Sequence, residues 1–280
     1  ILVYLNTTLK IEMQLPPHIT KAIHATMEAS QAIMDIYAAE IKPSFKSDGS
    51  PVTAADMASS KVLMKYLGET GIPIISEEVE KAGYTTRKNW KAVWIVDPLD
   101  GTKEFIRRNG EFVICIALIE EGNPIFGIIT HPLTQQILFG GPDFGAYKVP
   151  FSEINEPQNW KAIESTSLNN PIILSSSRTP YKSNEIKVIE ALEKQFDTIT
   201  YSKKGSALKF YDLALGKSDI YPRFAPTMEW DIAAGQAIIT ALGGMVVDPE
   251  TLEPLQYNKE SLYNSHFIVY TKALKEALNL

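Results

Sequence analysis

The sequence predicts a protein of mixed helices and strands, with an α+β first half and an α/β second half. Apolar residues recur at steps of three and four from 17 to 41, which is typical of one long helix packed on a core. Apolar runs between residues 111 and 149 alternate with Gly, Asn and Pro turns, as in an antiparallel meander. From Pro171 onwards strand patterns alternate with helix patterns, which indicates an α/β arrangement.

The elements between the first helix and the meander are short. A turn-rich loop at 45–53 leads into a second helix that ends near Gly68. The run Ile72–Ile75 predicts a short strand. Trp94–Val96 predicts a buried strand that ends at Pro98, because proline cannot donate a ladder hydrogen bond. The strands of the meander are expected at 111–119, 124–130, 136–139 and 146–149.

The second half is predicted to follow a polar stretch at 149–170 that has no clear periodic element. We place the boundary there, with a first domain at 13–155 and a second at 156–280. Residues 1–12 precede Met13, a candidate initiator, and are assigned no function. The expected strands lie at 172–174, 197–201, 220–221, 245–247 and 267–270, and the expected helices at 183–196, 206–215, 231–242 and the end of the chain.

The composition narrows the class of protein. The chain has 280 residues and is 45% hydrophobic, enough for a large core, and its net charge of −6 does not favour a nucleic-acid polymer as a partner. The one cysteine, Cys115, lies in an apolar run and is expected to be a buried thiol, which fits a reducing compartment. The histidines lack zinc-ligand spacing, and no apolar run approaches the roughly 20 residues of a membrane helix.

The stretch Asp97-Pro98-Leu99-Asp100-Gly101-Thr102 combines features that suit a cation and a phosphate. Asp97 lies at the end of the predicted strand and Asp100 on the turn that follows. Thr102 is a candidate N-cap for a helix that runs through Ile106. Two carboxylates, the Leu99 carbonyl and a helix N-terminus thus converge, and hard cations prefer oxygen ligands. Ordinary turn chemistry is the alternative.

Further acidic residues are candidates for the same site, each with a structural alternative. Asp56 follows Thr53 by three residues, so it is either a capping-box residue or a catalytic carboxylate at a helix start. Glu77 follows a strand and is either solvated or, if two strand ends are neighbours, close to Asp97. Asp231 is either an ordinary cap or part of the site, on a small-residue helix able to pack closely. Crowded carboxylates repel unless a cation neutralises them.

Positive charge comes from Lys209 and Arg223. Lys209 follows Gly205-Ser206, where a glycine before a helix start lets a phosphate approach backbone N–H groups. Arg223 lies among apolar and aromatic residues, where a desolvated guanidinium needs an anionic partner, and a structural salt bridge is the alternative. Ser175-Ser176-Ser177-Arg178 follows a strand, another place where α/β proteins bind ligands.

Two of these motifs, in this order, resemble the signatures of the inositol monophosphatase superfamily, whose members are magnesium-dependent, lithium-sensitive phosphatases. The signatures are Asp97-Pro98-Leu99-Asp100-Gly101-Thr102 and Trp230-Asp231-Ile232-Ala233-Ala234, with Ser76-Glu77-Glu78 upstream. The resemblance extends from about Lys46 to Tyr270. It implies a layered αβαβα sandwich of the inositol monophosphatase/fructose-1,6-bisphosphatase type.

Other segments resemble one bacterial branch of that superfamily, the 3′(2′),5′-bisphosphate nucleotidases. These segments are Ser50-Pro51-Val52-Thr53-Ala54-Ala55-Asp56, Asp100-Gly101-Thr102-Lys103-Glu104-Phe105-Ile106, Asn109-Gly110-Glu111-Phe112, Ser206-Ala207-Leu208-Lys209-Phe210 and Tyr221-Pro222-Arg223-Phe224. Ala207 stands where the branch often has a second serine, and we expect a small effect on substrate contacts.

By position, the resemblance implies a site for two to three Mg²⁺ ions. The ligands would be Glu77, Asp97, the Leu99 backbone carbonyl, Asp100 and Asp231, with Asp97 shared by two ions. Asp56 and Thr102 would be the catalytic pair that positions the attacking water. Two ions can stabilise the entering and leaving oxygens of an in-line displacement, so no covalent nucleophile is required.

The resemblance also implies the substrate and its contacts. The expected activity is hydrolysis of the 3′ phosphate of adenosine 3′,5′-bisphosphate (PAP) to AMP, a reaction of sulfur metabolism, with the sulfate-activation nucleotide PAPS as a second candidate. Lys209 and Arg223 favour a bisphosphate over inositol monophosphate. The expected substrate contacts are Glu77, Leu99, Asp100, Gly101, Thr102, Ser206, Lys209, Arg223 and Asp231.

Alternatives to this activity remain open at this stage. An inositol monophosphatase or a fructose-1,6-bisphosphatase of the same superfamily is the nearest rival, and a non-catalytic PAP sensor is a rival of another class. We expect a cytoplasmic protein without a transmembrane segment, with the cytoplasmic face of the inner membrane as the alternative location. The expected partner is a small nucleotide, and an oligomer is compatible with the sequence.

Overall fold

The computed structural model describes residues 15–39, 44–45, 51–177, 183–196 and 198–280. Met13, the end of the first predicted helix at 40–41, the loop residues 46–50, Arg178 and residue 197 lie outside these ranges. Among the described residues, no helix combines the length and the hydropathy needed to cross a membrane.

The elements follow the predicted order closely. The helices are α1 (Pro17–Tyr37), α2 (Ala54–Gly68), α3 (Tyr84–Arg87), α4 (Thr102–Ile106), α5 (Ser183–Glu193), α6 (Leu208–Ala214), α7 (Glu229–Ala241) and α8 (Lys272–Ala277). The strands are β1 (Ser44–Phe45), β2 (Pro51–Val52), β3 (Ile74–Ser76), β4 (Ala92–Asp100), β5 (Val113–Glu120), β6 (Asn123–His131), β7 (Gln136–Gly141), β8 (Gly145–Pro150), β9 (Lys161–Ala162), β10 (Ile172–Ser176), β11 (Ile199–Lys203), β12 (Ile220–Arg223), β13 (Met245–Val247) and β14 (Phe267–Tyr270).

The larger sheet has seven strands within the described residues, in the order β3-β4-β5-β6-β7-β8-β9. Strands β5 to β8 pair antiparallel with their sequence neighbours, which confirms the predicted meander. β3 pairs parallel with β4. Both faces of the central strands are covered, because alternate residues of β5 enter different core clusters: Cys115 and Ala117 enter one, and Ile114 and Ile116 the other. Covering both faces explains the continuous apolar runs of the sequence.

The second sheet has the strand order β11-β10-β12-β14-β13, again within the described residues. Helices and sheets alternate as layers. α1 and α2 cover the outer face of the larger sheet, α6 and α7 fill the space between the two sheets, and α5 and α8 pack on the far face of the second sheet. This layering agrees with the αβαβα sandwich that the resemblance implied.

The predicted division at residue 155 falls between two short 3₁₀ turns, Phe151–Glu153 and Pro157–Asn159. α7, from the second predicted domain, packs on β5, β6 and β7 of the first. The two predicted domains therefore share one core cluster, and the boundary stays a prediction.

The predictions for the end of β4 and the start of α6 were wrong. β4 does not end at Pro98 but continues to Asp100, because Pro98 falls where the pairing with β5 shifts register and no ladder donor is needed. The helix predicted from Ser206 begins instead at Leu208, because Ser206 has a φ of 50°, outside the helical region.

Candidate active site

A bulge in β4 brings Asp97 and Asp100 to the same side of the sheet. Asp97 pairs with Cys115 and Asp100 with Val113, so Pro98 and Leu99 together lie opposite Ile114. In a regular strand, residues three apart point to opposite faces. The extra residue in the bulge turns Asp100 back to the face on which Asp97 lies, and both carboxylates face the layer of α6 and α7.

Glu77 lies beside Asp97 because β3 and β4 run parallel in register. Ser76 pairs with Val96, and the Glu77 backbone N–H donates to the Val96 carbonyl over 3.2 Å. The prediction that the two strand ends are neighbours is therefore confirmed.

Asp231 reaches the same place from the first turn of α7. That helix can approach the sheet closely because its Ala234 lies over Gly127 of β6, where any Cβ would collide with the Ala234 carbonyl. The Asp231 Oδ2 accepts a 2.8 Å hydrogen bond from the Met228 backbone N–H. Asp231 is thus a cap and also a member of the cluster, so the two interpretations of it are compatible.

Three carboxylates of this cluster, those of Asp97, Asp100 and Asp231, have raised pKa values. Burial is the largest cause for each, and repulsion between neighbouring carboxylates adds to the effect. Together they raise the pKa of Asp97 well above its usual value, that of Asp100 to about 6 and that of Asp231 to about 8. The Lys209 ammonium opposes the shift at Asp100. The ionised forms of these carboxylates are therefore unfavourable on their own, and bound cations would stabilise them.

The donor set fits Mg²⁺. Each of three carboxylates has one oxygen held by a backbone N–H: Asp97 by Leu99 over 3.0 Å, Asp231 by Met228, and Asp100 by Ala207. With Glu77 and the Leu99 residue, they line an open groove of about 250 Å³. Among the described residues no three His, Cys, Asp or Glu side chains are already placed to hold a metal ion by themselves. Open sites suit Mg²⁺, which keeps waters and takes phosphate oxygens as further ligands.

The two oxygens of the Asp56 carboxylate accept hydrogen bonds from different parts of the chain, one from the start of α2 and one from Thr102. Oδ2 accepts from the Thr53 backbone N–H over 2.7 Å and from the Thr53 hydroxyl over 2.6 Å, which forms a capping box at the start of α2. Oδ1 accepts the Thr102 hydroxyl over 2.9 Å. Burial raises the pKa of Asp56, while the hydrogen bonds from Thr53 and Thr102 oppose this effect. Asp56 is therefore a capping-box residue that also contacts Thr102, and its catalytic role stays a prediction.

Thr102 is the first residue of α4, not its N-cap. Gly101 holds that position with a φ of 98°, in the left-handed region that glycine adopts readily. A Cβ on Gly101 would lie 2.6 Å from the Glu111 carbonyl oxygen and 3.1 Å from the Ser206 Cβ. The turn therefore needs a glycine, and it frees the Thr102 hydroxyl to reach Asp56.

A second cavity, of about 340 Å³, adjoins the acidic groove and carries most of the positive charge. Asp100, Lys103, Glu104 and Asp231 line both spaces. Lys209 is buried in its wall, where its Nζ donates to the Ser206 carbonyl over 2.7 Å and lies 5.1 Å from the centroid of the Tyr221 ring. Burial lowers the pKa of Lys209 to about 8.

Arg223 lies on the same cavity at the end of β12. One terminal nitrogen donates to the Ser177 hydroxyl over 2.6 Å, while the buried Nε has no hydrogen-bond partner among the described residues. The described residues place no carboxylate in a salt bridge with Arg223, so the structural alternative for this arginine finds no support there.

Several residues of the site were not predicted. Ser59 of α2 donates to the Pro98 carbonyl over 2.6 Å and ties the bulge to the helix. The sequence signal for Ser59 was its position four residues from both Ala55 and Leu63, which places it on the buried face of α2. Other unpredicted residues line the cavity: Lys103, Glu104, Arg107, Lys204 and Thr227. Lys103 and Arg107 could have been found from their spacing, because residues four apart lie on the same face of a helix.

Comparisons with known proteins agree with this geometry. A model of the inositol monophosphatase family matches residues 16–279. The 3′(2′),5′-bisphosphate nucleotidase CysQ of Escherichia coli K12 is 38% identical over 247 residues, which cover 86% of this chain and 94% of that protein. Its Haemophilus influenzae counterpart is 30% identical over 245 residues, covering 86% and 88%.

Solved structures show the same fold. The crystal structure of CysQ from Bacteroides thetaiotaomicron superposes with a TM-score of 0.79 and 39% identity, covering 90% of this chain and 96% of that one. The structure of an IMPase/NADP phosphatase complexed with Mg²⁺ and phosphate superposes with a TM-score of 0.70 at 18% identity, covering 93% and 94%.

Proposed function

We propose that this chain, which belongs to the inositol monophosphatase family, is a magnesium-dependent 3′(2′),5′-bisphosphate nucleotidase that hydrolyses the 3′ phosphate of PAP to yield AMP and phosphate. One observation carries the choice of substrate: the acidic groove and the cation-lined cavity share Asp100 and Asp231 as a common wall. A substrate with two phosphates can place one in each space. The identity to CysQ proteins supports the same assignment.

Magnesium is the proposed cofactor, as for the family in general. Glu77, Asp97, the Leu99 carbonyl, Asp100 and Asp231 would hold two to three ions, and a relative of the same fold was solved with Mg²⁺ and phosphate. Bound Mg²⁺ polarises phosphoryl oxygens and neutralises the charge of the phosphate. The raised pKa values of Asp97 and Asp231 support a site built to accept positive charge.

Asp56 and Thr102 are proposed to position the attacking water. The Thr102 hydroxyl donates its hydrogen to Asp56 Oδ1, so its oxygen is left as an acceptor for a hydrogen of the water. That hydrogen bond fixes the direction of the water's lone pair. Asp56, whose pKa is raised by burial, would take up the released proton through the Thr102 hydroxyl.

Lys209 and Arg223 are proposed to bind the second phosphate, with Ser206 and Gly101 completing the substrate contacts. Lys209 has a pKa of about 8 and therefore carries its charge at neutral pH. The Arg223 Nε, which has no hydrogen-bond partner within the described part of the chain, offers a further donor. PAPS is a second proposed substrate because its 5′ phosphosulfate also presents anionic oxygens to the cations that line the cavity.

Phosphate release from PAP, inositol 1-phosphate and fructose 1,6-bisphosphate, measured with Mg²⁺ and then with added Li⁺, tests the proposal. We expect the fastest turnover for PAP and inhibition by lithium. Faster turnover of either sugar phosphate would favour a different phosphatase of the family. Tight binding of PAP without phosphate release under any divalent ion would favour a sensor. A cytoplasmic location is part of the proposal, in keeping with the single buried thiol, Cys115.

A further inference from the structure

The connection between β3 and β4, residues 77–91, packs against the first turn of α7. It begins with Glu77 and contains α3, while α7 carries Asp231. Two proposed metal ligands therefore sit on segments that are more than 150 residues apart in sequence but touch in the fold. Their separation depends on the contacts between these segments.

Lys81 makes a direct link between the two segments. Its Nζ donates to the backbone carbonyl of Glu77 over 2.7 Å. The same Nζ lies 5.0 Å from the centroid of the Trp230 ring, within cation–π range. Trp230 is 7% exposed, so its ring is held in the core, and it directly precedes Asp231. The Lys81 ammonium therefore contacts Glu77 itself and the residue next to Asp231.

A buried hydrogen-bond network also links the connection to the first turn of α7. Arg87 of α3 is 3% exposed and donates to Asn258 Oδ1 over 2.8 Å and to the Lys259 carbonyl over 3.1 Å. Glu229, at the first position of α7 and fully buried, accepts from the Asn258 backbone N–H over 2.7 Å and pairs with Lys259 Nζ over 2.6 Å. Arg87 thus joins the far end of the connection to the start of α7 through Asn258, Lys259 and Glu229, and Lys81 makes the contact at the end that carries Glu77.

We propose that Lys81 is a positioning residue that sets the spacing between Glu77 and Asp231 and thereby the affinity of the site for Mg²⁺. It holds the Glu77 backbone with a charged hydrogen bond and uses the rigid Trp230 ring as its reference. Outer groups that orient metal ligands typically change metal affinity by 10- to 100-fold when they are removed. Lys81 contacts no reacting atom in this proposal, which rests on the proposed metal site.

Calorimetric titration of Mg²⁺ into the full chain tests the inference without relying on turnover. Lys81→Met keeps the length of the side chain and its contact with Trp230 but removes the charge and the donor. We expect about tenfold weaker Mg²⁺ binding and an equal rise in the Mg²⁺ concentration for half-maximal activity. We expect kcat at saturating Mg²⁺ to change much less. Lys81→Arg, which retains a donor and stacks on aromatic rings, should restore most of the affinity.

The matched control is Lys65→Met. Lys65 Nζ also lies over an aromatic ring, 5.4 Å from the Tyr66 centroid, but on the exposed side of α2. This variant should bind Mg²⁺ as the wild type does. Equal Mg²⁺ affinity in Lys81→Met and the wild type would overturn the role of Lys81 and leave the proposed metal site in place. A wild type that binds no Mg²⁺ would overturn the proposed metal site and the inference with it.

The thermal transition in chelator separates positioning from folding. We expect Lys81→Met to unfold within a few degrees of the wild type, since Arg87 and Glu229 still anchor α7. Loss of that transition would overturn the proposal, because Lys81 would then be needed for the fold and not for the ions. Failure of Lys81→Arg to bind Mg²⁺ better than Lys81→Met would overturn it as well.

Discussion

The Thr102 hydroxyl donates a 2.9 Å hydrogen bond to Oδ1 of Asp56, a residue of α2 that lies 46 positions earlier in the chain. Oδ2 of the same carboxylate caps α2 through Thr53, so the helix cap fixes the direction in which Oδ1 points. Thr102 is aimed in turn by the left-handed Gly101 that precedes it. One carboxylate thus joins the stability of α2 to the orientation of a hydroxyl at the edge of the acidic groove.

Thr102→Val removes the hydroxyl and keeps the shape of the side chain. We expect kcat for PAP to fall by about 10²-fold or more, the usual range for loss of a group that directs proton transfer, with little change in KM. Thr102→Ser is the control and should keep most of the activity, because it keeps the hydroxyl. Steady-state kinetics on both variants provide the comparison. Equal kcat in Thr102→Val and the wild type would remove Thr102 from the catalytic pair.

Most of the fold could be predicted because the elements are strongly patterned. The strands of the meander alternate with Gly, Asn and Pro turns, and α7 is an apolar helix closed by Gly243-Gly244. Glu77 and Asp97 could be placed together because short consecutive strands are often neighbours. Each of these predictions used only local periodicity and sequence order.

The details that shape the site were not predictable in this way. The bulge at Pro98 and Leu99 depends on the register against β5, and Ser206 has its left-handed φ where it packs against Gly101 from a distant part of the chain. The Ser59 contact with the Pro98 carbonyl joins residues 39 apart. Such features arise from the packing of distant segments, so they cannot be predicted from a single local pattern.

Arg223→Ala should weaken the binding of PAP and leave the binding of Mg²⁺ unchanged. Loss of one charged hydrogen bond costs on the order of 1–3 kcal/mol, so we expect KM for PAP to rise roughly 5- to 150-fold. Adenosine 3′-monophosphate, which lacks the second phosphate, should show nearly the same KM with both proteins. Kinetics with the two substrates give the test. A variant that lost Mg²⁺ affinity but kept its KM for PAP would place Arg223 at the metal site.

Without divalent ions, the stability of the protein should fall as the pH rises. In the folded state the pKa of Asp97 is raised well above 3.8, that of Asp100 is about 6 and that of Asp231 about 8. The folded protein therefore binds more protons than the unfolded chain between about pH 4 and pH 8, and its free energy of unfolding decreases across this window. Thermal unfolding in chelator should show this decrease.

Added Mg²⁺ should raise the melting temperature more at pH 8 than at pH 5, because protons compete for the same carboxylates at the lower pH. A melting temperature in chelator that rose steadily from pH 5 to pH 8 would contradict the raised pKa values.

Asp97→Asn should abolish turnover and, in chelator at pH 8, stabilise the fold. The amide oxygen can still accept from the Leu99 N–H, while the buried charge next to Glu77, Asp100 and Asp231 is gone. Mg²⁺ should then raise the melting temperature much less than in the wild type. Asp143→Asn, in the exposed turn between β7 and β8, is the control and should leave both properties unchanged. Near-normal activity of Asp97→Asn would show that the metal site is wrongly assigned.

Gly101→Ala should damage both the fold and the site. Its φ of 98° is unfavourable for any residue with a Cβ, and that Cβ would lie 2.6 Å from the Glu111 carbonyl oxygen. Strain and overlap of this kind cost about 1–3 kcal/mol each, so we expect a loss of roughly 2–5 kcal/mol in the free energy of unfolding, measured in urea. Gly68→Ala is the matched control, because no heavy atom of the described residues lies within 4 Å of the new Cβ at the end of α2. This variant should be neutral or slightly stabilising. Because relief of the overlap must move Glu111 or Ser206, the Gly101 variant should also raise KM for PAP. If both variants unfolded at the same urea concentration as the wild type, the close packing of Gly101 against Glu111 would be refuted.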